Sequence, residues 1–354
     1  MRLVPKALAL AGMLALAGAV HADGARIGLA APLDGPMALL GRQMRDGAVL
    51  AARAAGAELI GADDGCTAEG GAAAARELVR RQVKVVVGFL CTEAIEAALP
   101  ILTESGIPAI TSGARADRLT DRRDRTGWLV WRLAPRSDSE AAAIADILVR
   151  RWRDELFAIV DDGAIYGRDL SETLRLAAEM AGLQPVFVDT FRPQSENQVA
   201  LVGRLRRAGA THVFVGGDRD DVAVIARDAA GLDHELTIAG GEALRAEGEA
   251  PLAPGTLMIG LPEWADTADR EVLERFAAAR IVPEGYALPT HAAVEIALRA
   301  LAMAAAQGAP LADILSSETF DTAIGSVSFD GKGDLAKNPF RLLRHDGERF
   351  VPAE

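Results

Sequence analysis

The stretch VKVVVGFLCTEAIEAALPILTESGIPAITSGARAD, residues 83–117, decides the fold. Apolar runs at Val83–Phe89 and Ile107–Thr111 flank a segment of helical spacing, Thr92–Glu104. A strand, a helix and a second strand of these lengths form a βαβ unit, whose two strands run parallel. The sequence therefore predicts an α/β fold built on parallel sheets.

Small polar residues follow both of these strands. Cys91 and Thr92 come after the first, and the run Thr111–Arg115 ends the second. In open parallel sheets, ligands bind beyond the carboxyl ends of the strands, where helix N-termini offer free N–H groups to anions. Two adjacent loops of this kind, one of them carrying an arginine, favour a small carboxylate as the ligand.

Strand and helix segments alternate along the chain in two series of similar length. The first series begins at the strand Arg26–Ala31, and the second ends at the strand Leu236–Gly240. This alternation predicts two doubly wound lobes. We assign residues 23–134 plus 262–324 to the first lobe and 135–261 plus 325–354 to the second. Around the turn at Asp330–Asp334, the runs Gly325–Phe329 and Phe340–Arg344 are predicted to form a hairpin.

The N-terminal residues have the pattern of a secretory signal peptide. Arg2 and Lys6 precede an apolar run, Ala7–Val20, that is too short for an ordinary membrane span. Small residues stand at the cleavage positions, so residues 1–22 are predicted to be removed after Ala22. The alternative is an N-terminal core helix. Export to the periplasm follows from the first interpretation.

The charge balance limits the classes of partner. The chain has 38 basic and 50 acidic residues, a formal charge of −12. An acidic protein is a poor match for nucleic acid or for an anionic membrane surface. The partner that we expect is a small molecule.

Metal, cofactor and enzyme motifs do not emerge from the sequence. The histidines have no metal-binding spacing, and the run Asp330–Asp334 does not have the spaced ligands of an EF-hand loop. We find no nucleophile elbow, phosphate loop or dinucleotide fingerprint. We therefore expect no metal, no cofactor and no enzymatic activity. The only two cysteines, Cys66 and Cys91, each follow a strand-like segment, so either a disulfide or two free thiols fit.

Several motifs, taken in order, resemble a known family. These are IGLAAPLDGPMALLG, DDGC, GFLC, ITSGARADRLT, VDDGAIYGRD, FVGGDRDD, IAGGE and GSVSFDGKGDL. The set is similar to the type I solute-binding proteins of branched-chain amino-acid ABC transporters. The resemblance implies a clamshell of two lobes joined by three crossings, a hinge that closes on the ligand, and a Cys66–Cys91 disulfide. It also implies a monomer that delivers its ligand to an ABC permease in the inner membrane.

The resemblance also implies which residues bind the ligand, most simply an amino acid. Thr92, Gly113 and Arg115 match positions that hold its carboxylate, and Glu242 matches the partner of its ammonium group. Tyr166 and Tyr286 match aromatic walls, one from each lobe. Simpler roles compete with these: a helix N-cap for Thr92, a loop glutamate beside Arg245 for Glu242, and core packing for Tyr286.

Ser112 and Asp218 complete the predicted ligand-binding residues, and together with Arg115 they depart from the family pattern. Ser112 stands where proline is common, Arg115 where a small hydroxyl residue is usual, and Asp218 where an aromatic residue is frequent. The cleft should therefore be more polar than a leucine site. Arg115 either binds a ligand carboxylate or pairs with Asp218 or Glu242 as a latch. Alternatives to an amino-acid carrier are a receptor for aromatic acids, amides or ureas, and a sensing subunit for a membrane-bound regulator.

Overall fold

The computed structural model describes residues 25–353, which form two α/β lobes. The predicted fold class, two lobes with doubly wound parallel sheets, is confirmed. The predicted signal peptide and its cleavage after Ala22 lie outside the described residues.

The first lobe is built on a parallel sheet of five strands in the order β2-β1-β3-β4-β5. Its strands are β1 (Arg26–Ala31), β2 (Glu58–Asp63), β3 (Val85–Gly88), β4 (Ala109–Thr111) and β5 (Val130–Arg132). The helices between them are α1 (Ala38–Ala55), α2 (Ala68–Arg80), α3 (Thr92–Glu104), α4 (Arg118–Asp121) and α5 (Arg123–Thr126). The deciding stretch thus supplies β3, α3 and β4, and its two strands pair in parallel as predicted, with Val87 opposite Ile110.

Both faces of this sheet are buried, which explains the unbroken apolar run in β3. Val85 and Val87 pack into one core cluster, whereas Val86, pointing the other way, packs into a second. Alternate side chains of a strand point to opposite faces, so a strand with helices on both sides must be apolar throughout.

The second lobe repeats the pattern. Its helices are α6 (Ser139–Arg151), α7 (Ile165–Met180), α8 (Val199–Arg207) and α9 (Arg219–Gly231). Its parallel strands are β6 (Phe157–Asp161), β7 (Phe187–Thr190), β8 (His212–Gly216), β9 (Thr237–Gly240) and β10 (Leu257–Gly260), with a 3₁₀ helix at Glu242–Arg245. In each lobe, the loops that follow the strands therefore gather at one edge of the sheet.

After β10 the chain returns to the first lobe. The helices there are α10 (Trp264–Thr267), α11 (Arg270–Ala278), α12 (Ala287–Gln307) and α13 (Leu311–Ser317), followed by β11 (Phe320–Thr322) and β12 (Gly325–Val327). Helix α12 lies largely buried against α1 and the first sheet. Among residues 25–353, no helix by itself is long and apolar enough to span a membrane, although the bent pair α12 and α13 meets that criterion jointly.

The predicted pairing of Gly325–Phe329 with Phe340–Arg344 is wrong, although the chain does turn back at Asp330–Asp334, where Phe329 forms an antiparallel bridge with Leu335. Strand β12 pairs with β11, while β13 (Arg341–His345) and β14 (Phe350–Pro352) extend the second sheet beside β10. Val327 and Phe329 pack into the first lobe's core. The last passage to the second lobe therefore comes after Phe329, later than the boundary at residue 325 that we assigned from the sequence.

Within the described residues the chain passes between the lobes three times. The first crossing joins β5 to α6, the second joins β10 to α10, and the third joins β12 to β13. The third lies beside the first, because the N–H of Arg132 donates to the carbonyl of Gly333 at 2.8 Å. A few chain segments at one side can bend as a hinge.

Candidate functional site

The first-lobe edge consists of the loops that follow β3 and β4. The N–H of Ala114 donates to the carbonyl of Phe89 at 3.1 Å, and that of Ser112 to Gly88 at 3.0 Å. A Cβ at Gly113 would lie 2.8 Å from the Cα of Leu90, so only glycine allows this approach. The two loops therefore form one surface.

Thr92 is the first residue of α3 on this surface. Cys91, not Thr92, occupies the N-cap position, so the capping role considered from the sequence is wrong. The Thr92 hydroxyl, partly exposed, makes no hydrogen bond to any other described residue. It is available beside the free N–H groups of the helix start, which is a favourable place for a carboxylate.

A disulfide braces the same loop. Cys66 and Cys91 are bonded, with their Cα atoms 5.1 Å apart, which confirms the predicted pair. Cys66 lies in the turn after β2, where its N–H donates to the Asp64 carboxylate at 3.0 Å. The bond ties this turn to the N-terminus of α3.

Ser112 supports the lobe from within. Its side chain is buried, and its hydroxyl lies 2.8 Å from that of Thr290 on α12. The hydroxyl is thus directed into the first lobe, away from the loop surface, and the structure gives no support to the predicted ligand contact through this side chain.

Arg115 lies where the first-lobe edge meets the second lobe. Its carbonyl accepts hydrogen bonds from the N–H of Ser137 at 3.0 Å and from the Nη1 of Arg132 at 2.8 Å. Burial raises the pKa of the Glu140 carboxyl at the start of α6, and the Arg115 guanidinium is near enough to offset a small part of that rise. No ion pair of Arg115 with Asp218 or Glu242 is found among the described residues, and its acidic neighbour is Glu140.

The second-lobe edge consists of the start of α6, the start of α7 and the loop after β9, and its centre is Glu140, a residue that was not predicted from the sequence. Its side chain is buried, with 9% of the residue's surface exposed. One oxygen, Oε1, accepts hydrogen bonds from the Tyr166 hydroxyl at 2.6 Å and from the Glu242 N–H at 2.7 Å. The Tyr166 hydroxyl in turn accepts from the N–H of Ala243 at 3.3 Å. Helix α6, helix α7 and the loop after β9 therefore converge on one carboxylate.

The ionisation of this cluster is shifted. Burial raises the pKa of the Glu140 carboxyl, and the hydrogen bonds from Tyr166 and from the Glu242 N–H lower it in part. Burial and the adjacent Glu140 carboxylate raise the pKa of the Tyr166 hydroxyl, which stays a proton donor. A buried carboxylate is costly unless it is paired, so a cation that binds here relieves that cost.

Glu242 already has partners. Its Oε1 accepts from the Nε of Arg245 at 2.8 Å, and its Oε2 accepts from the N–H of Leu261 at 2.6 Å. In this conformation it fastens the loop after β9 to the second crossing. The loop-glutamate role fits these contacts better than a free partner for a ligand ammonium.

Asp218 and Tyr286 lie at the ends of other elements. Asp218 is exposed and precedes α9 after strand β8, at the same edge as Tyr166, and its side chain caps no helix N–H. Tyr286 precedes α12 in the first lobe, partly buried against the core, with its N–H 3.3 Å from the Oε1 of Gln43. The two tyrosines thus belong to different lobes.

Little in the sequence distinguished Glu140. It falls in the first turn of α6, where an acidic residue usually stabilises the helix N-terminus. Its proximity to Tyr166 and Glu242 arises only when residues 26 and 102 positions away are brought together by the fold. No group of three or more metal-binding side chains occurs among residues 25–353.

Comparison with known proteins identifies the family. The profile of the periplasmic binding protein family matches residues 24–349. The chain belongs to the periplasmic binding protein family. It is of the type I, branched-chain amino-acid group, whose members are solute-binding proteins and not enzymes. Periplasmic binding proteins bind small molecules and work with ABC permeases, and the family places this chain in the periplasm.

Two curated relatives of this periplasmic binding protein cover nearly its whole length. The Leu/Ile/Val-binding protein homolog 3 of Brucella melitensis is 28% identical over 98% of both chains. The leucine-, isoleucine-, valine-, threonine-, and alanine-binding protein of Pseudomonas aeruginosa is 28% identical over 95% of this chain and 93% of its own.

Solved structures show the same fold at lower identity. A Rhodospirillum rubrum protein described as a branched-chain amino acid ABC transporter is 18% identical, with a TM-score of 0.77, over 93% of this chain and all of its own. A solute-binding protein of Rhodopseudomonas palustris BisB5, solved with 3,4-dihydroxybenzoic acid, is 19% identical, with a TM-score of 0.62, over 93% and 96% of the two chains.

Proposed function

We propose that this periplasmic binding protein captures a small amino acid between its two lobes, through the ligand's carboxylate and its ammonium group. The observation that carries the proposal is that a positively charged edge of the first lobe lies close to a negatively charged edge of the second. A loop that bears Arg115 and faces a helix N-terminus in the first lobe lies close to the buried carboxylate of Glu140 in the second. A zwitterion matches both edges at once.

The first lobe would hold the carboxylate. The Thr92 hydroxyl and the start of α3 supply donors, and the Gly113 N–H is engaged only at 3.4 Å, by the Thr111 hydroxyl. The Arg115 guanidinium adds the charge. Charge-assisted hydrogen bonds of this kind are shorter and stronger than neutral ones.

The second lobe would hold the ammonium group. Glu140 replaces Glu242 as its main acidic partner, because both Glu242 oxygens are engaged and Glu140 accepts only through Oε1 among the described residues. Asp218 at the same edge adds negative charge, and Tyr166 closes over the ligand opposite Tyr286 in the first lobe. Closure then follows from contacts that exist only when both edges reach the ligand.

An aromatic acid is the second candidate ligand. The Rhodopseudomonas palustris relative was solved with a dihydroxybenzoic acid. In this chain, Tyr166 and Tyr286 lie in opposite lobes, an arrangement that suits a ring between them. A benzoate leaves the Glu140 carboxylate without a cation, which is why we favour the amino acid.

A panel of ligands tests the proposal. A ligand that binds only the folded state raises the melting temperature, so purified protein is screened by thermal shift with the standard amino acids, hydroxybenzoates and dicarboxylates. We expect amino acids to give the largest shift and calorimetry to confirm a single site. A response to hydroxybenzoates alone would favour the second candidate, and a response to sugars alone would contradict both.

Arg115→Ala tests the carboxylate site, with Arg122→Ala as the matched control. Arg122 is exposed and lies seven positions further along the chain in the same lobe, between α4 and α5. We expect Arg115→Ala to weaken binding of the responding ligand by about 2–3 kcal/mol, the usual value of a charged hydrogen bond, and Arg122→Ala to leave it unchanged. Equal affinities of both variants would remove Arg115 from the site.

Two further parts of the proposal concern the mature protein. We infer that export removes residues 1–22 and that the mature chain, beginning at Asp23, acts as a monomer. Intact-mass measurement of the periplasmic protein checks the first, and sedimentation of that protein with and without ligand checks the second.

A further inference from the structure

A buried ion-pair cluster lies where the first and third crossings leave the first lobe. Arg132, at the end of β5, is fully buried, and its Nε donates to the Oδ1 of Asp334 at 2.7 Å. Asp334 belongs to the third crossing and forms a parallel bridge with Arg132. A charged pair of this kind joins two segments that are far apart in sequence.

The same arginine also holds the loop that follows β4. Its Nη1 donates to the carbonyl of Arg115 at 2.8 Å and to the carbonyl of Ala116 at 2.6 Å. Arg132 therefore joins Asp334 of the third crossing to the loop that contains Gly113 and Arg115. A guanidinium can do this because its donors form a rigid planar fork.

A second arginine extends the cluster along the first crossing. Arg136 donates through Nη1 to the Oδ2 of Asp334 at 2.9 Å, and through Nε to the Oδ1 of Asp138 at 2.9 Å. It also donates to Asp121 in the first lobe at 3.1 Å. Asp138 directly precedes α6 of the second lobe, whose second residue is Glu140. Arg136, in the first crossing, thus contacts residues that belong to both lobes.

We propose that Asp334, with Arg132 and Arg136, is the positioning unit that couples bending of the hinge to the loop carrying Gly113 and Arg115. The inference rests on the proposed function for its ligand. In the proposed complex the three residues position the loop and make no contact with the ligand themselves. Arg132 and Asp334 fix the loop to the first and third crossings as one rigid body, and Arg136 relays the position of the second lobe to that body.

The physical basis is the high cost of changing a buried charge cluster. Asp334 is 2% exposed and also accepts from the Thr120 hydroxyl at 2.9 Å, so all of its partners are fixed by the fold. Removing one partner of a buried ion pair strongly destabilises a protein, because the other charge is left buried without a partner. Bending is then confined to the crossing residues outside the cluster, and the loop moves with the crossings instead of independently.

Asp334→Asn tests the coupling, with Asp228→Asn as the matched control. Asp228 is also a buried carboxylate paired with an arginine, but it lies on α9 of the second lobe, where its Oδ2 accepts a hydrogen bond from the N–H of Gln198. We expect Asp334→Asn to weaken ligand binding about tenfold to a hundredfold and to change the radius of gyration of the ligand-free protein in small-angle scattering. Asp228→Asn should change the melting temperature but neither of these quantities.

Arg132→Lys is the second variant, because lysine keeps the charge but cannot reach Asp334 and both carbonyls at once. It should reproduce the affinity loss with a smaller loss of melting temperature. If both variants lose only melting temperature, like the control, while affinity and scattering stay at wild-type values, the cluster is merely structural and the inference is overturned. Wild-type protein that binds no amino acid refutes the proposed function instead, and the ligand-free scattering then decides the coupling.

Discussion

The two edges that face each other between the lobes are held in place by different means. The first-lobe edge is fixed by backbone hydrogen bonds, by the close approach at Gly113 and by the Cys66–Cys91 disulfide. The second-lobe edge is fixed by side chains that converge on Glu140. Backbone hydrogen bonds and a disulfide keep their geometry whatever the protonation of nearby side chains, whereas a carboxylate cluster changes with one proton. The recognition of a carboxylate should therefore be robust, and the choice among ligands should depend on the second lobe.

The largest expected effect is the loss of the disulfide from the first-lobe edge. Replacing both Cys66 and Cys91 by serine should lower the free energy of unfolding by about 3.5 kcal/mol, because the bond closes a loop of 25 residues and restricts the unfolded chain. Urea unfolding of the double variant measures it. Wild-type protein unfolded in reductant is the control and should lose the same amount. A loss below about 1 kcal/mol would show that the loops are braced mainly by packing.

The next effect concerns pH, in the turn after β2 that the disulfide ties to the first-lobe edge. Asp64 is fully buried, its Oδ2 has no partner among the described residues, and burial raises its pKa from 3.8 to about 6. The native state then binds more protons than the unfolded state between about pH 4 and pH 6, so stability falls as pH rises through that window.

Asp64→Asn should abolish that decline. We expect the variant to match wild type near pH 4 and to exceed its free energy of unfolding by up to about 3 kcal/mol at pH 7, measured by urea unfolding at each pH. The exposed Asp124→Asn in the same lobe is the control. Parallel pH profiles of Asp64→Asn and wild type would show that the buried carboxyl is not the source.

The same contrast explains what could be predicted from the sequence. The first-lobe edge was predictable because strand, loop and helix are adjacent in the chain: the run of residues 83–117 contains Thr92, Gly113 and Arg115, and the sheet brings its two loops together. Periodicity and turn residues carry that information locally.

The second-lobe edge could not be predicted in the same way. Glu140 looks like an ordinary acid at a helix start, and Glu242 matches a ligand-binding position in the family pattern but is engaged by Arg245 and Leu261. Which carboxylate is free depends on tertiary contacts between distant segments. The wrong hairpin has the same origin: Gly325–Val327 and Arg341–His345 are both good strands, and their partners are chosen by the two separate sheets.

Glu140→Gln tests the claim that the second lobe selects the ligand. The amide keeps an acceptor for Tyr166 and for the Glu242 N–H but removes the charge, so amino-acid affinity should fall by about 1.5–3 kcal/mol in calorimetry. Stability at neutral pH should not fall, because the substitution removes a charge whose burial is unfavourable, as the raised pKa of the carboxyl indicates. Glu172→Gln on the exposed surface of α7 is the control. Unchanged affinity would return the ammonium site to Glu242.

Tyr166→Phe should have the smallest effect and the most specific pH signature. The change removes one donor to Oε1 of Glu140, a loss of about 0.5–1.5 kcal/mol in ligand binding. That hydrogen bond lowers the pKa of Glu140, so without it the carboxyl takes up its proton at a higher pH. Because the protonated form cannot pair with an ammonium group, the affinity loss should be greater at pH 5.5 than at pH 7.5. Tyr286→Phe, in the other lobe, should show no such dependence on pH. Equal losses for Tyr166→Phe at the two pH values would mean that the hydroxyl acts on the ligand directly and not through Glu140. No loss at either pH would mean that the tyrosine serves only as an aromatic wall, because phenylalanine keeps the ring.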